Sequence, residues 1–156
     1  MTTKTRVPAV EGLFTMDDPP HLIGGKGRSR GSYFFPKDMA GADPACFGDD
    51  ERDEVLLSRT GTVWSYTTSS YPPPLPYVVT TEPFVPLVIA AVELDDQKLV
   101  VCGQMVPGVD VADMSVGMRV ELVLDTLYSD DDHDYLVWKW QPLAQDALAQ
   151  DQEAGQ

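Results

Sequence analysis

At 156 residues and 43% hydrophobic content, the chain can build one compact core with appendages. Its formal charge of −14 is unevenly placed: residues 1–40 hold six Lys/Arg against four Asp/Glu, leaving five against twenty-one, so the head is +2 and the body −16. So acidic a body repels phosphate backbones at long range and disfavours generic nucleic-acid binding, while the basic head can still meet an anionic ligand. The opening MTTKTRVPAV lacks the apolar core of a signal peptide, and no run approaches the roughly twenty apolar residues that span a bilayer, which points to the cytoplasm. Cys46 and Cys102 allow one disulfide, but without a secretion signal two reduced thiols are the better expectation.

In chain order, residues 1–21 are an arm with little periodicity, interrupted by Pro8, Pro19 and Pro20, in which a lone helical turn over Val10 to Met16 is expected. Residues 22–55 form a Gly-rich segment with too little apolar content to stand alone. Its outline is that of a small zinc ribbon: Gly24-Gly25 before a turn, the aromatic strand Tyr33-Phe34-Phe35 ending at Pro36, and a second turn at Asp43-Pro44-Ala45-Cys46. A tetrahedral zinc site needs four sulfur or nitrogen ligands, and this stretch offers one thiol. No metal is expected there, and something else must hold the segment together.

From residue 56 to 142 the pattern changes to strands separated by turn residues. Five are expected: Gly61 to Tyr71, Leu87 to Leu94, Leu99 to Met105, Met118 to Tyr128 and Tyr135 to Gln141. Val120, Leu122 and Leu124 alternate with Arg119, Glu121 and Val123, as in a half-buried strand, while Leu87 to Val92 is apolar on both faces and should be central. Asp95-Asp96 marks a tight hairpin and Ser129 to Asp134 a longer acidic one; Val111 to Met114 fits one helical turn. Five strands with a short helix or loop after the third predict a mainly β protein built on a Greek-key barrel of the OB type. The tail 143–156 has no sustained apolar stripe and is expected to fray or stay flexible.

Few residues carry chemistry on their own. Gly25 to Gly31 (GKGRSRG) invites a phosphate-loop reading, but its third glycine is one residue too far on for the dinucleotide pattern, no strong strand leads into it, and the aromatic residues after it read as extended chain rather than helix. A solvated basic turn is the better reading, leaving Lys26, Arg28 and Arg30 as candidates for a phosphate-bearing ligand or an acidic partner. His133 among Asp130, Asp131, Asp132 and Asp134 lacks the spaced ligands and central glycine of a calcium loop, so a solvated hairpin tip is favoured. Cys102, inside an apolar strand, should behave as a small hydrophobe. Trp138 and Trp140 share a strand face and fit core or interface better than base stacking. No G-x-S-x-G elbow, P-loop or H-E-x-x-H is present, and no catalytic residue is assigned. The stiff ridge Tyr71-Pro72-Pro73-Pro74-Leu75-Pro76-Tyr77 would lose little entropy on docking, which suits an interface, and it equally suits a rigid loop between the first two barrel strands.

Several segments in order resemble a known family: PPHLIGG from Pro19, GSYFFP from Gly31, DPAC from Asp43, LLSRTGTVWSYT from Leu56, VIAAVEL from Val88 and VGMRVELVLDTLY from Val116. Together they are similar to the zinc-ribbon plus OB-fold proteins that accompany thiolase-like acyl-CoA enzymes. The resemblance implies a rubredoxin-like ribbon whose cysteine pairs would fall at Gly27 and Arg30 and at Asp43 and Cys46, of which only Cys46 is present. It implies a non-catalytic subunit in a hetero-oligomer, with a thiolase-like partner acting as thiolase, acyltransferase or retro-aldol lyase on a coenzyme A thioester. Some relatives of this kind serve bacterial steroid side-chain breakdown. Tyr33, Phe34, Phe35, Tyr71, Pro72, Pro73, Pro74 and Tyr77 are the expected partner contacts, no cofactor is expected on this chain, and a stand-alone OB-fold module for nucleic acid or another ligand is the alternative.

Overall fold

The computed structural model describes residues 3–39, 51–74 and 78–143. Nine strands and one short 3₁₀ turn are present among them, so the protein is mainly β. Five strands close the barrel: β5 (Thr60–Ser69), β6 (Leu87–Leu94), β7 (Val100–Met105), β8 (Arg119–Ser129) and β9 (His133–Pro142). Each begins and ends within two residues of its expectation from the alternation of apolar and polar residues. The antiparallel ladder β8-β5-β6-β7 is completed by a parallel pairing of β7 with β9 and an antiparallel pairing of β9 with β8, which joins the two ends. A closed sheet with this strand order and one parallel pair has the OB topology. Closure leaves no free edge within the barrel, which removes the hazard of edge-to-edge association.

β6 shows why the Leu87 to Leu94 run is central: Val88, Ala90, Val92 and Leu94 are buried, while the intervening side chains are half-buried. Val120 and Leu122 of β8 and Leu136 and Trp140 of β9 complete the interior. At Gly103 of β7 an added Cβ would lie 2.8 Å from the indole nitrogens of both Trp138 and Trp140, so the absent side chain makes room for the pair. Thr60 donates to Asp95, and Arg119 forms a bidentate ion pair with the same carboxylate, at 2.5 and 2.6 Å, across one end of the barrel.

The N-terminal residues build onto this frame. β1 (Thr5–Pro8) runs parallel to the first half of β9, Thr5 pairing with His133 and Pro8 with Leu136, while β7 pairs with Lys139 and Trp140 of the second half. The helical turn expected over Val10 to Met16 is replaced by a turn and a bridge between Phe14 and Leu22. Burying Phe14 and Leu22 together in the core outweighs a helical turn that has no apolar stripe to bury. Arg59 fixes the junction, its guanidinium donating to the carbonyls of Pro20 and Leu122 at 2.8 and 3.0 Å.

A second, three-stranded antiparallel sheet has the order β3-β2-β4, with β2 (Ile23–Gly27), β3 (Tyr33–Phe34) and β4 (Arg52–Leu56). The Gly-rich stretch read as a solvated turn is therefore strand up to Gly27, with Gly24, Gly25 and Gly27 buried. At Gly25 an added Cβ would come 2.1 Å from the Phe34 ring, so the ring lies directly on bare backbone. Arg52 covers the ring from 5.1 Å, Lys26 stands 5.2 Å from the Tyr33 ring, and Phe35 meets Trp138 edge-on at 5.5 Å. Among the described residues no cluster of three or more His, Cys, Asp or Glu could hold a metal. Gly27 and Arg30, where the resemblance puts a first cysteine pair, lie at the end of β2 and in the turn after it, and Asp43 and Cys46 fall outside the described residues. No helix among the described residues is long and apolar enough to cross a membrane.

Candidate functional site

A cleft of about 740 Å³ lies on the outer surface of the barrel, bounded by the loop after β5 and the loop after β7. Its walls include Phe84, Pro86, Leu87, Val106, Val109 and Leu127, and polar groups enter at Gln104, Asp110, Asp125 and Lys139. Strand parity explains the polar floor. Gln104 pairs with Lys139, and Asp125 with Val137 two residues along the β8–β9 ladder, so all three side chains project away from the Trp140 core. Lys139 keeps only 9% of its side-chain exposure and donates from Nζ to Asp125 Oδ2 at 2.7 Å, while Asp125 keeps 39%. Asp110 is fixed at the cleft rim as the cap of the 3₁₀ turn Val111–Asp113, accepting from the amide of Ala112 at 2.9 Å. The turn expected at Val111 to Met114 is thus present, one residue shorter.

The basic candidates are tied to their own chain. Arg28 pairs with Glu51 and with Asp53, the latter at 2.8 Å, and this guanidinium holds the Asp53 carboxyl below the usual range. Lys26 leans over Tyr33, and Arg30 has a partner of its own. Of the aromatic interface candidates, Phe34 is 6% exposed, which takes it away from any partner, and Phe35 is engaged with Trp138. Tyr71 is the reverse, 73% exposed, and with Pro72 and Pro74 it begins the connection between β5 and β6 that continues through the exposed Val78, Val79 and Val85. Pro73 is half-buried, and Tyr77 lies outside the described residues.

Trp138 and Trp140 do share a face, and it is the inner one: Trp140 is fully buried, while Trp138 packs edge-on against Phe14 and Phe35. Cys102, expected to behave as a small hydrophobe, is an exposed free thiol, because Val101 and Met105 take the inward positions of β7. The acidic hairpin tip is tighter than expected, with Ser129 and Asp134 paired and Asp130 capping the turn. The amides of Asp132 and His133, then the hydroxyl of Tyr135, hold the Asp130 carboxyl down at about 2, which accounts for this acid without a cation. Trp64 carries no signal in the sequence, yet it is 63% exposed. It sits at a bulge between Val63 and Ser65 that the apolar pattern conceals.

The class of protein is set by these features: an OB-fold barrel with a small glycine- and aromatic-rich sheet packed on it, an external cleft and an exposed proline ridge. Residues 54–125 match the family model described as the ChsH2 C-terminal OB-fold domain. A solved chain of the Ltp2-ChsH2(DUF35) aldolase is similar at 26% identity, covering 78% of this chain and 84% of its own, with a TM-score of 0.55. No curated protein matches.

Proposed function

We propose that this chain is a non-catalytic accessory subunit of a thiolase-superfamily enzyme that acts on an acyl-CoA. The observation that carries the reading is similarity to the Ltp2-ChsH2(DUF35) aldolase along most of both chains, beyond the barrel alone. The partner supplies the groups that make or break a carbon–carbon bond beside a carbonyl, as a thiolase, acyltransferase or retro-aldol lyase. Steroid side-chain breakdown is the most specific setting this reading reaches. On this chain the ridge from Tyr71 to Pro74, with Val78, Val79 and Val85, is the partner contact, since an exposed apolar connection stiffened by proline loses little entropy on docking. The β2–β3–β4 sheet is a ribbon that has lost its metal, with the Phe34 and Phe35 packing in its place.

The test is co-expression with a thiolase-like chain from the same source, followed by size-exclusion chromatography and acyl-CoA turnover. A stoichiometric complex that is active only when both chains are present supports the reading; a chain that stays alone, or turns over acyl-CoA unaided, refutes it. Of the basic residues, Lys26 is the candidate for coenzyme A phosphates, because Arg28 already meets two carboxylates. If K26E changes neither assembly nor the Michaelis constant, that contact is wrong. Engagement of Trp138 inside the fold weighs against the alternative of a single-stranded nucleic-acid module, which filter binding at low salt would expose.

A further inference from the structure

We infer that the outer cleft is a binding site for a neutral, largely apolar small molecule whose carbonyl or hydroxyl oxygen accepts a hydrogen bond from Lys139. The size fits, since small-molecule sites run from roughly 300 to 1,000 Å³ and this cleft measures about 740 Å³. The walls fit as well, with Phe84, Leu87, Val106 and Leu127 offering apolar surface. What orients the ligand is the ammonium. Lysine carries three N–H donors, and the described residues supply one acceptor, Asp125. Lys139, with 9% side-chain exposure, lines the cleft, and its two other donors have no acceptor among the described residues. Leaving donors in this position is costly, so a ligand oxygen placed there is favoured over purely hydrocarbon contact.

Charge selects the neutral form. The Lys139 charge is balanced by Asp125 at 2.7 Å, and Asp110 adds a second carboxylate on the wall, so the lining is net negative. A fatty carboxylate or a phosphate entering here would meet one paired cation and two anions. A ketone, amide or alcohol meets no such repulsion. The inference concerns this chain alone and does not depend on the accessory role.

The experiment uses the full chain and the neutral dye Nile red, displaced by three compounds of equal length: a long-chain methyl ketone, the corresponding alkane and the corresponding carboxylate. The dye should bind saturably, and the ketone should displace it about tenfold more effectively than the alkane, as expected for one hydrogen bond to a charged donor. The carboxylate should be the weakest. K139M should abolish the preference of ketone over alkane while leaving alkane binding in place. D125N, which keeps the lysine and removes its counter-charge, should raise carboxylate affinity above that of the ketone. Equal displacement by ketone and alkane, a ketone preference that survives K139M, a carboxylate that binds best to the natural chain, or no saturable binding of the dye would each overturn the inference.

Discussion

Phe34 can be used to test what holds the small sheet together. Truncating it to alanine removes a ring that is 6% exposed and that lies between the backbone of Gly25 and the guanidinium of Arg52. Burying a phenylalanine side chain is worth about 1.5–3 kcal/mol in transfer terms, and loss of the partly exposed cation contact adds about 0.5–1 kcal/mol. Together these give a cost of about 3 kcal/mol. Phe34 lies outside the continuous core that joins Phe14 and Leu22 to the barrel, so this cost should fall on the sheet rather than on the whole chain. Hydrogen exchange resolves the two. The amides of Gly27 and Arg28, bonded to the carbonyls of Ser32 and Glu51 at 3.0 and 2.9 Å, should exchange about a hundredfold faster in F34A, while the amide of Val92 in β6 should hardly change. A structural zinc contributes on the order of 10 kcal/mol in isolated fingers. Unchanged exchange at Gly27 and Arg28, or stoichiometric zinc whose chelation speeds their exchange in the natural chain, would show that aromatic packing is not what replaces the metal.

Three further outcomes are expected. G103A should lower stability by about 1–3 kcal/mol in urea unfolding, because two indoles must move to admit a methyl group; an unchanged midpoint would mean that the indole pair has slack. Asp95 is held down from 3.8 to about 2, chiefly by its hydrogen bonds from Arg119, so its folded form prefers the charged state. Its contribution is therefore complete above about pH 4 and lost as the pH falls toward 2; the full shift corresponds to about 2.5 kcal/mol, reduced to about 1 kcal/mol by solvent at a pair left one-third exposed. D95N should be less stable than the natural chain at neutral pH and equal to it near pH 2, and a constant difference across that range would refute the assignment. Y71D, at an exposed position, should leave the melting temperature within a degree or so and weaken co-elution with a thiolase-like partner at least tenfold; unchanged co-elution would move the interface elsewhere.

The barrel is legible in the sequence because a strand such as β8 buries one side of a two-residue alternation: Val120 and Leu122 are expected on one face and found buried. Where both sides of a strand are apolar, parity is invisible, and for that reason Cys102, read as a small hydrophobe, turns out to be exposed. β2 is hard to see because Ile23–Gly27 contains three glycines, poor strand formers by themselves, whose use is apparent only when the Phe34 ring is set against Gly25. β1 has four residues and no local pattern, and its partner lies more than a hundred positions further on. The cleft is hidden for a similar reason. Lys139 reads as an ordinary outward lysine until two loops, neither with a motif of its own, are folded over it.

The place of β1 beside β9 has a consequence for how the chain comes off the ribosome. Thr5 is synthesised well ahead of its ladder partner His133, which follows the other four barrel strands. At roughly 5–20 residues per second the leading strand waits several seconds with its hydrogen-bonding groups unmatched. The barrel seam between β8 and β9 closes in the same late interval, so neither end of the sheet is protected until β9 has been made. A nascent chain arrested before His133 would carry open edges at β7 and β8 and a free β1, and chaperones that recognise open strands have their widest opportunity at that length.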